Sequence, residues 1–147
     1  MNYENFTIKL QEALQESSSI ANKNDNAEIS PEHLLQALLE QQDGLIVPVV
    51  ERIGINANEL TVRVKDLIKS NPKVSGAAQV YFSSALQKIL ANAEKEMSAM
   101  KDQYLSTEHI LLAMSESDTS AGDLLRKCGI THKAIIDALK AVRGNQT

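Results

Sequence analysis

The chain has 147 residues, enough for one ordinary domain with a real core, and a mild net charge of −4. It has no tryptophan, few aromatics and no basic cluster, which argues against nucleic-acid binding by phosphate contacts or base stacking. The single cysteine, Cys128, cannot form an internal disulfide, no run of about 18 apolar residues exists to cross a membrane, and no signal-peptide pattern follows Met1. A cytoplasmic protein is expected, with no membrane and no nucleic-acid partner.

The apolar period is helical almost throughout. Phe6, Leu10, Ala13, Leu14 and Ala21 form the stripe of a first helix over about 4–22, and the polar stretch 22–28 is a connection. Ser30-Pro31-Glu32-His33 opens a second helix: serine offers an oxygen to a free backbone N–H, and proline in the first turn gives up no bond. That helix carries Leu34, Leu35, Leu38 and Leu39 and is expected to end at Asp43-Gly44. Pro48 is expected to start a short third helix that stops at Gly54. Asn56 caps a fourth, with Leu60, Val64, Leu67 and Ile68 inward, ending near Ser70 before Asn71-Pro72.

Residues 71–81 read as a linker, with a few residues around Ala78–Tyr81 extended. The order then repeats. A long helix covers 83–100, Ser106 caps the next, 121–128 is short with Gly129 as its stop, and 131–142 closes the set before a polar tail. The expectation is an all-α, pseudo-two-fold duplication of a four-helix unit: about eight helices in one domain, 1–147, with repeats over about 4–70 and 82–143.

The duplication is visible residue by residue. Shifting 6–38 forward by 76 places Phe6 on Phe82, Leu10 on Leu86 and Leu14 on Leu90. The same shift places Ser30, Glu32 and His33 on Ser106, Glu108 and His109. After one deletion, Gly54-Ile55 falls on Gly129-Ile130 and Ile53 on Cys128, which makes the cysteine a small buried hydrophobe. Apolar matches mean a shared core; the matched Glu-His pairs need another explanation.

Enzyme motifs are missing. There is no P-loop, no G-x-S-x-G elbow, no H-E-x-x-H and no cysteine pair for a zinc cluster. Glu32, His33, Glu108 and His109 would make a two-carboxylate, two-imidazole metal set if they converged. Adjacent residues on a helix point about 100° apart, so neither pair chelates one ion easily. Each glutamate instead stands in a first turn, where a negative charge meets the positive end of the helix dipole. Both helix capping and a paired binding role remain open for this quartet.

Four features together carry a resemblance: the Phe6-Thr7 start; the paired openings S-P-E-H-L-L (30–35) and S-T-E-H-I-L (106–111); the linker P-K-V-S-G (72–76) followed by Val80-Tyr81-Phe82-Ser83; and the ending A-L-K-A-V-R-G (138–144). The chain resembles the N-terminal double-repeat domain of Clp-type chaperones, the linker and ending favouring the ClpB disaggregases over ClpC and ClpA. The resemblance implies a mobile, non-catalytic module that engages unfolded or aggregated polypeptide for a hexameric AAA+ ring, which threads substrate through its pore. Cooperating chaperones or adaptors are further implied partners. No cofactor is expected in this chain; ATP and Mg belong to the ring modules, before which the chain is expected to stop.

The resemblance also places site residues. Thr7, Glu108 and Asp102 match polar positions used in substrate handling. A ClpC-like arrangement, each site pairing a hydroxyl with a glutamate, is expected here as Thr7 with Glu32 and Ser83 with Glu108, and implies adaptor docking or phosphoarginine binding as the alternative. The positions of an apolar peptide groove in some relatives carry Asn92, Glu96 and His109 here, leaving Met100 and Tyr104 as the better apolar contacts. Replacing Thr7 and Glu108 by alanine is expected to slow disaggregation with the melting temperature nearly unchanged.

Overall fold

The computed structural model describes residues 3–74 and 79–144; the expectations for residues 75–78 and for the tail beyond 144 lie outside the described residues. A short 3-10 turn, Tyr3–Asn5, leads into α1 (Ile8–Lys23); then come β1 (Glu28–Ile29), α2 (Pro31–Glu40), α3 (Ile46–Ile53) and α4 (Ala57–Lys69). The second half runs β2 (Tyr81–Phe82), α5 (Ser84–Ala99), α6 (Thr107–Ser115), α7 (Ser120–Lys127) and α8 (His132–Gly144). The fold is all-α, and the eight expected helices are present.

The duplication extends to the backbone. Thr7 and Ser83 cap α1 and α5 with the same dihedrals, φ −64° and ψ 158°, and each side-chain oxygen accepts the N–H three residues on. Gly54 and Gly129 end α3 and α7 with φ of 110° and 80°, conformations that an L side chain rarely takes.

Three boundaries differ from expectation, each for a local reason. The helical stripe through Phe6 does not start α1, because Phe6 bridges Leu105 in parallel and Thr7 takes the cap position. α2 stops at Glu40, three residues early: Gln41 turns extended and its Nε2 donates to Lys9 O at 2.8 Å, tying the end of α2 to the start of α1. α3 begins at Ile46, so Pro48 lies within its first turn, where no intrahelical N–H is required.

Packing interlocks the halves. α1 lies on α2 and α5 on α6, as two matching pairs. The third helix of each copy then seats on the fourth helix of the other: α3 on α8, and α7 on α4. One continuous aliphatic core results, with Leu10, Leu34, Leu38, Leu86, Leu90, Ile110 and Leu111 fully buried and contributed by both halves. Cys128 is half-buried rather than buried, packed on the rim of this core like its counterpart Ile53, with Arg63 Nη1 at 3.7 Å from the sulfur.

Candidate functional site

Two short parallel contacts decide which polar residues meet. Glu28–Ile29 pairs with Tyr81–Phe82, and Phe6 bridges Leu105. Thr7 N–H donates to Leu105 O at 2.9 Å, while Ser83 N–H donates to Ile29 O at 3.1 Å. Each hydroxyl cap therefore stands at the opening of the other copy's second helix. Thr7 meets Ser106–Glu108, and Ser83 meets Ile29–Ser30, ahead of Glu32. The expected pairs, Thr7 with Glu32 and Ser83 with Glu108, are crossed. The reason is that α1 and α2 pack with the start of α1 against the end of α2, as the Lys9 Nζ to Gln42 O bond of 2.9 Å records. Within one copy the hydroxyl and the acid lie at opposite ends of that pair.

The helix openings explain the Glu-His motif. Ser30 N–H donates to His33 Nδ1 at 2.8 Å, and Ser106 N–H to His109 Nδ1 at 3.0 Å. Each histidine thus satisfies a free N–H from the third helical position, work that a capping box usually gives to Glu or Gln. With Nδ1 accepting, the ring proton sits on Nε2 and is donated onward. His33 donates to Asn26 Oδ1 at 2.9 Å, and Asn26 Nδ2 donates to Pro72 O at 3.0 Å. His109 donates to Asp102 Oδ2 at 2.7 Å. The quartet does not gather into a metal site; the one metal-compatible cluster among the described residues is Glu96, Glu116 and His132, elsewhere on the surface.

The two openings differ in charge. Glu32 and Glu108 are both 7% exposed. Burial raises the Glu32 carboxyl above its usual value, only partly offset by its own backbone N–H and the Asn71 amide. Glu108 is met by the guanidinium of Arg143, which also reaches Asp102 Oδ2 at 3.1 Å, while Ser106 Oγ donates to the other Glu108 oxygen. Burial alone would push the Asp102 carboxyl up; Arg143 and His109 outweigh it and hold that group below the ordinary carboxylate range. Sequence reasoning named Asp102 and Glu108 but not Arg143, whose position in the closing helix gave no signal.

An open cleft of about 640 Å³ lies at the Thr7–Glu108 junction, lined also by Lys9, Gly44, Leu45, Pro48 and Val142. The starts of α1 and α6 both face it. Ile8, Tyr3 and Tyr104 stand exposed on the segments that meet there, Tyr104 being the residue before the Leu105 bridge. Met100, by contrast, is half-buried and packs on the core. A second, smaller opening of about 390 Å³ lies beside the β1–β2 contact, lined by Asn26, Glu28, Ser30, Pro72, Val74 and Tyr81 but not by Ser83 or Glu32, with Val74 N–H on Asp25 O at 2.8 Å.

Comparison with known proteins fits this architecture. The Clp repeat (R) N-terminal domain family matches residues 5–128. The chaperone protein ClpB of Bacillus cereus is 37% identical over 150 residues, covering 99% of this chain and 17% of that protein. ClpB of Corynebacterium diphtheriae is also 37% identical, over 97% of this chain and again 17% of its own length. The chain thus spans about a sixth of these relatives. The N-terminal domain of Hsp104 from Candida albicans superposes with a TM-score of 0.82 over 95% of this chain and 92% of that one, at 23% identity. A ClpV N-domain in complex with a VipB peptide superposes at 0.74 over 93% and 86%, at 20% identity. By sequence and by fold, the chain belongs to the Clp repeat N-terminal domains, of the kind found in ClpB chaperones.

Proposed function

We propose that this domain recognises unfolded or aggregated polypeptide for a ClpB-like hexameric AAA+ chaperone in the cytoplasm, binding extended, partly apolar segments at the Thr7–Glu108 cleft. The observation that carries the reading is this junction: two helix openings from different copies meet in an open cleft with exposed apolar side chains beside it. A strand of substrate has backbone groups for the cleft's polar rim and side chains for Ile8 and Tyr104. The ClpV N-domain seen with a peptide supports this use of the fold. The domain carries out no covalent step in this reading; ATP hydrolysis belongs to the ring. Six copies on one ring raise effective concentration, so each site needs only weak affinity.

The double alanine variant is a poor test. Thr7 caps α1 and Glu108 pairs with Arg143, so alanine at both positions removes a cap worth about 1 kcal/mol and leaves the Arg143 guanidinium with Asp102 alone. The expectation of an unchanged melting temperature does not suit these contacts. Glu108→Gln keeps the shape, and Thr7→Ser keeps the cap. Fluorescence anisotropy with a reduced, carboxymethylated unfolded protein should show binding to the native chain weakened at least about 5-fold by the Thr7→Ser, Glu108→Gln pair. Equal binding would remove the cleft from this role. If only a folded adaptor binds, the ClpC-like reading takes over, and calorimetry with millimolar phosphoarginine tests that reading's ligand.

A further inference from the structure

Glu32 and Glu108 are equivalent in sequence and equally buried, yet only one has a cation. Arg143, 34% exposed at its side chain, contacts both Glu108 and Asp102. Among the described residues no ion pair reaches Glu32. The differences are correlated. Where the second copy has Asp102, the first has the neutral Asn26; where the second has Arg143, the 75-residue shift places Ile68, which is 2% exposed and part of the core. Acid and base thus stand together in one copy and are both absent from the other. A partner needed only for a helix opening would be needed in both copies, because both openings use the same Ser-x-x-His bond.

We infer that Arg143 is a specificity-determining residue of the cleft: its guanidinium occupies the Glu108–Asp102 carboxylate pair that would otherwise capture an arginine or lysine from an incoming polypeptide. Left open, two acids beside two apolar side chains would select cationic segments. With the pair filled from within, the cleft accepts neutral, apolar segments, and a cationic residue enters only by displacing Arg143. Displacement is feasible. The guanidinium is a third exposed, one nitrogen serves both acids, and it hangs from the last turn of α8, where helices open most readily.

This inference rests on the cleft being the polypeptide site. Two fluorescein-labelled, unstructured peptides test it: one with a single arginine among alanines and leucines, and a twin with norleucine at that place. The native chain should bind the two within about 2-fold of each other. Arg143→Met should raise the preference for the arginine peptide at least about 5-fold, and adding Glu108→Gln should abolish the gain. Arg143→Gln, which keeps a donor toward Glu108 without the charge, should give the same direction and covers the case where the methionine variant folds poorly. If both peptides bind and neither variant changes their ratio, Arg143 merely fastens α8 and the inference is overturned while the polypeptide reading stands. If neither peptide binds any variant, the polypeptide reading fails and takes this inference with it.

Discussion

Replacing His33 by leucine is expected to cost about 3 kcal/mol of folding stability and to flatten the domain's response to mild acid. The ring is fully buried and has both nitrogens engaged, Nδ1 with the Ser30 N–H and Nε2 with Asn26. Leucine fills similar space but leaves the Ser30 donor and the Asn26 acceptor without partners. Each stranded buried group costs roughly 1–3 kcal/mol, more than the leucine regains by its apolar surface. Asn26 also links to Pro72, so the stretch joining the two copies loosens as well.

The pH dependence has a definite sign. Burial lowers the His33 imidazole from 6.5 to about 4. Between those values the unfolded chain takes up a proton that the folded chain refuses, so stability falls as pH falls through this window. At about 1.4 kcal/mol per pH unit, the loss approaches about 3 kcal/mol by pH 4. Glu32 opposes it, because its raised carboxyl takes up a proton more readily in the folded state and adds stability as pH falls. Asp102, held low, loses its contribution only below the ordinary carboxylate range. Urea unfolding from pH 7 to pH 4.5 should show a steep decline for the native chain and a shallow or reversed one for His33→Leu. Parallel profiles would mean that His33 is not the acid-sensitive group.

Gly122→Ala should lower stability by about 2 kcal/mol or more, although alanine is the better helix former by about 1 kcal/mol. Gly122 lies in the first turn of α7 with ordinary dihedrals, so backbone freedom is not what it supplies. A Cβ there would stand 2.4 Å from Ser117 O, in the connection after α6, and 2.8 Å from Met114 O, in the last turn of α6, both backbone atoms. The Ser117 hydroxyl, at 2.7 Å, can swing aside but the two carbonyl oxygens cannot, so α7 must shift relative to α6. Overpacking of this kind costs roughly 1–3 kcal/mol and outweighs the gain in propensity. Scanning calorimetry should show a melting temperature lower by about 5 °C or more, at roughly 2–4 °C per kcal/mol for a chain of this size. An unchanged or higher value would show that the α6–α7 junction yields more easily than its backbone contacts imply.

Helix count and order were legible because the helices are amphipathic and Ser30, Asn56 and Ser106 stand at the expected cap positions, whereas Thr7 and Ser83, read as helical, are the residues that cap α1 and α5. Glu28–Ile29 was not legible as a strand, since two residues carry no period and their partner lies beyond the linker. That contact and the Phe6–Leu105 bridge set Thr7 beside Glu108 and Ser83 ahead of Glu32, so the hydroxyl–acid pairs meet across the copies and not within them. Arg143 was invisible for a related reason. A charged residue in the last turn of a helix is commonplace, and only the fold brings it to Glu108, 35 residues away. The need for Gly122 is likewise set by the fold, which brings the Met114 and Ser117 carbonyl oxygens against it.

The seating of α3 on α8 and of α7 on α4 has a consequence for how the chain reaches this state. The copies differ here: α4 lies mainly on α2 of its own copy, with α7 a lesser neighbour, whereas the main surface for α8 is α3 of the other copy. In the first half α2 packs with both α1 and α4, whereas α3 finds its main surface on α8, made much later. The Phe6–Leu105 contact closes a loop of roughly a hundred residues, which costs entropy before it returns any contact. Joining the two copies thus depends on contacts far apart in sequence, which form more slowly than the local pairs α1–α2 and α5–α6.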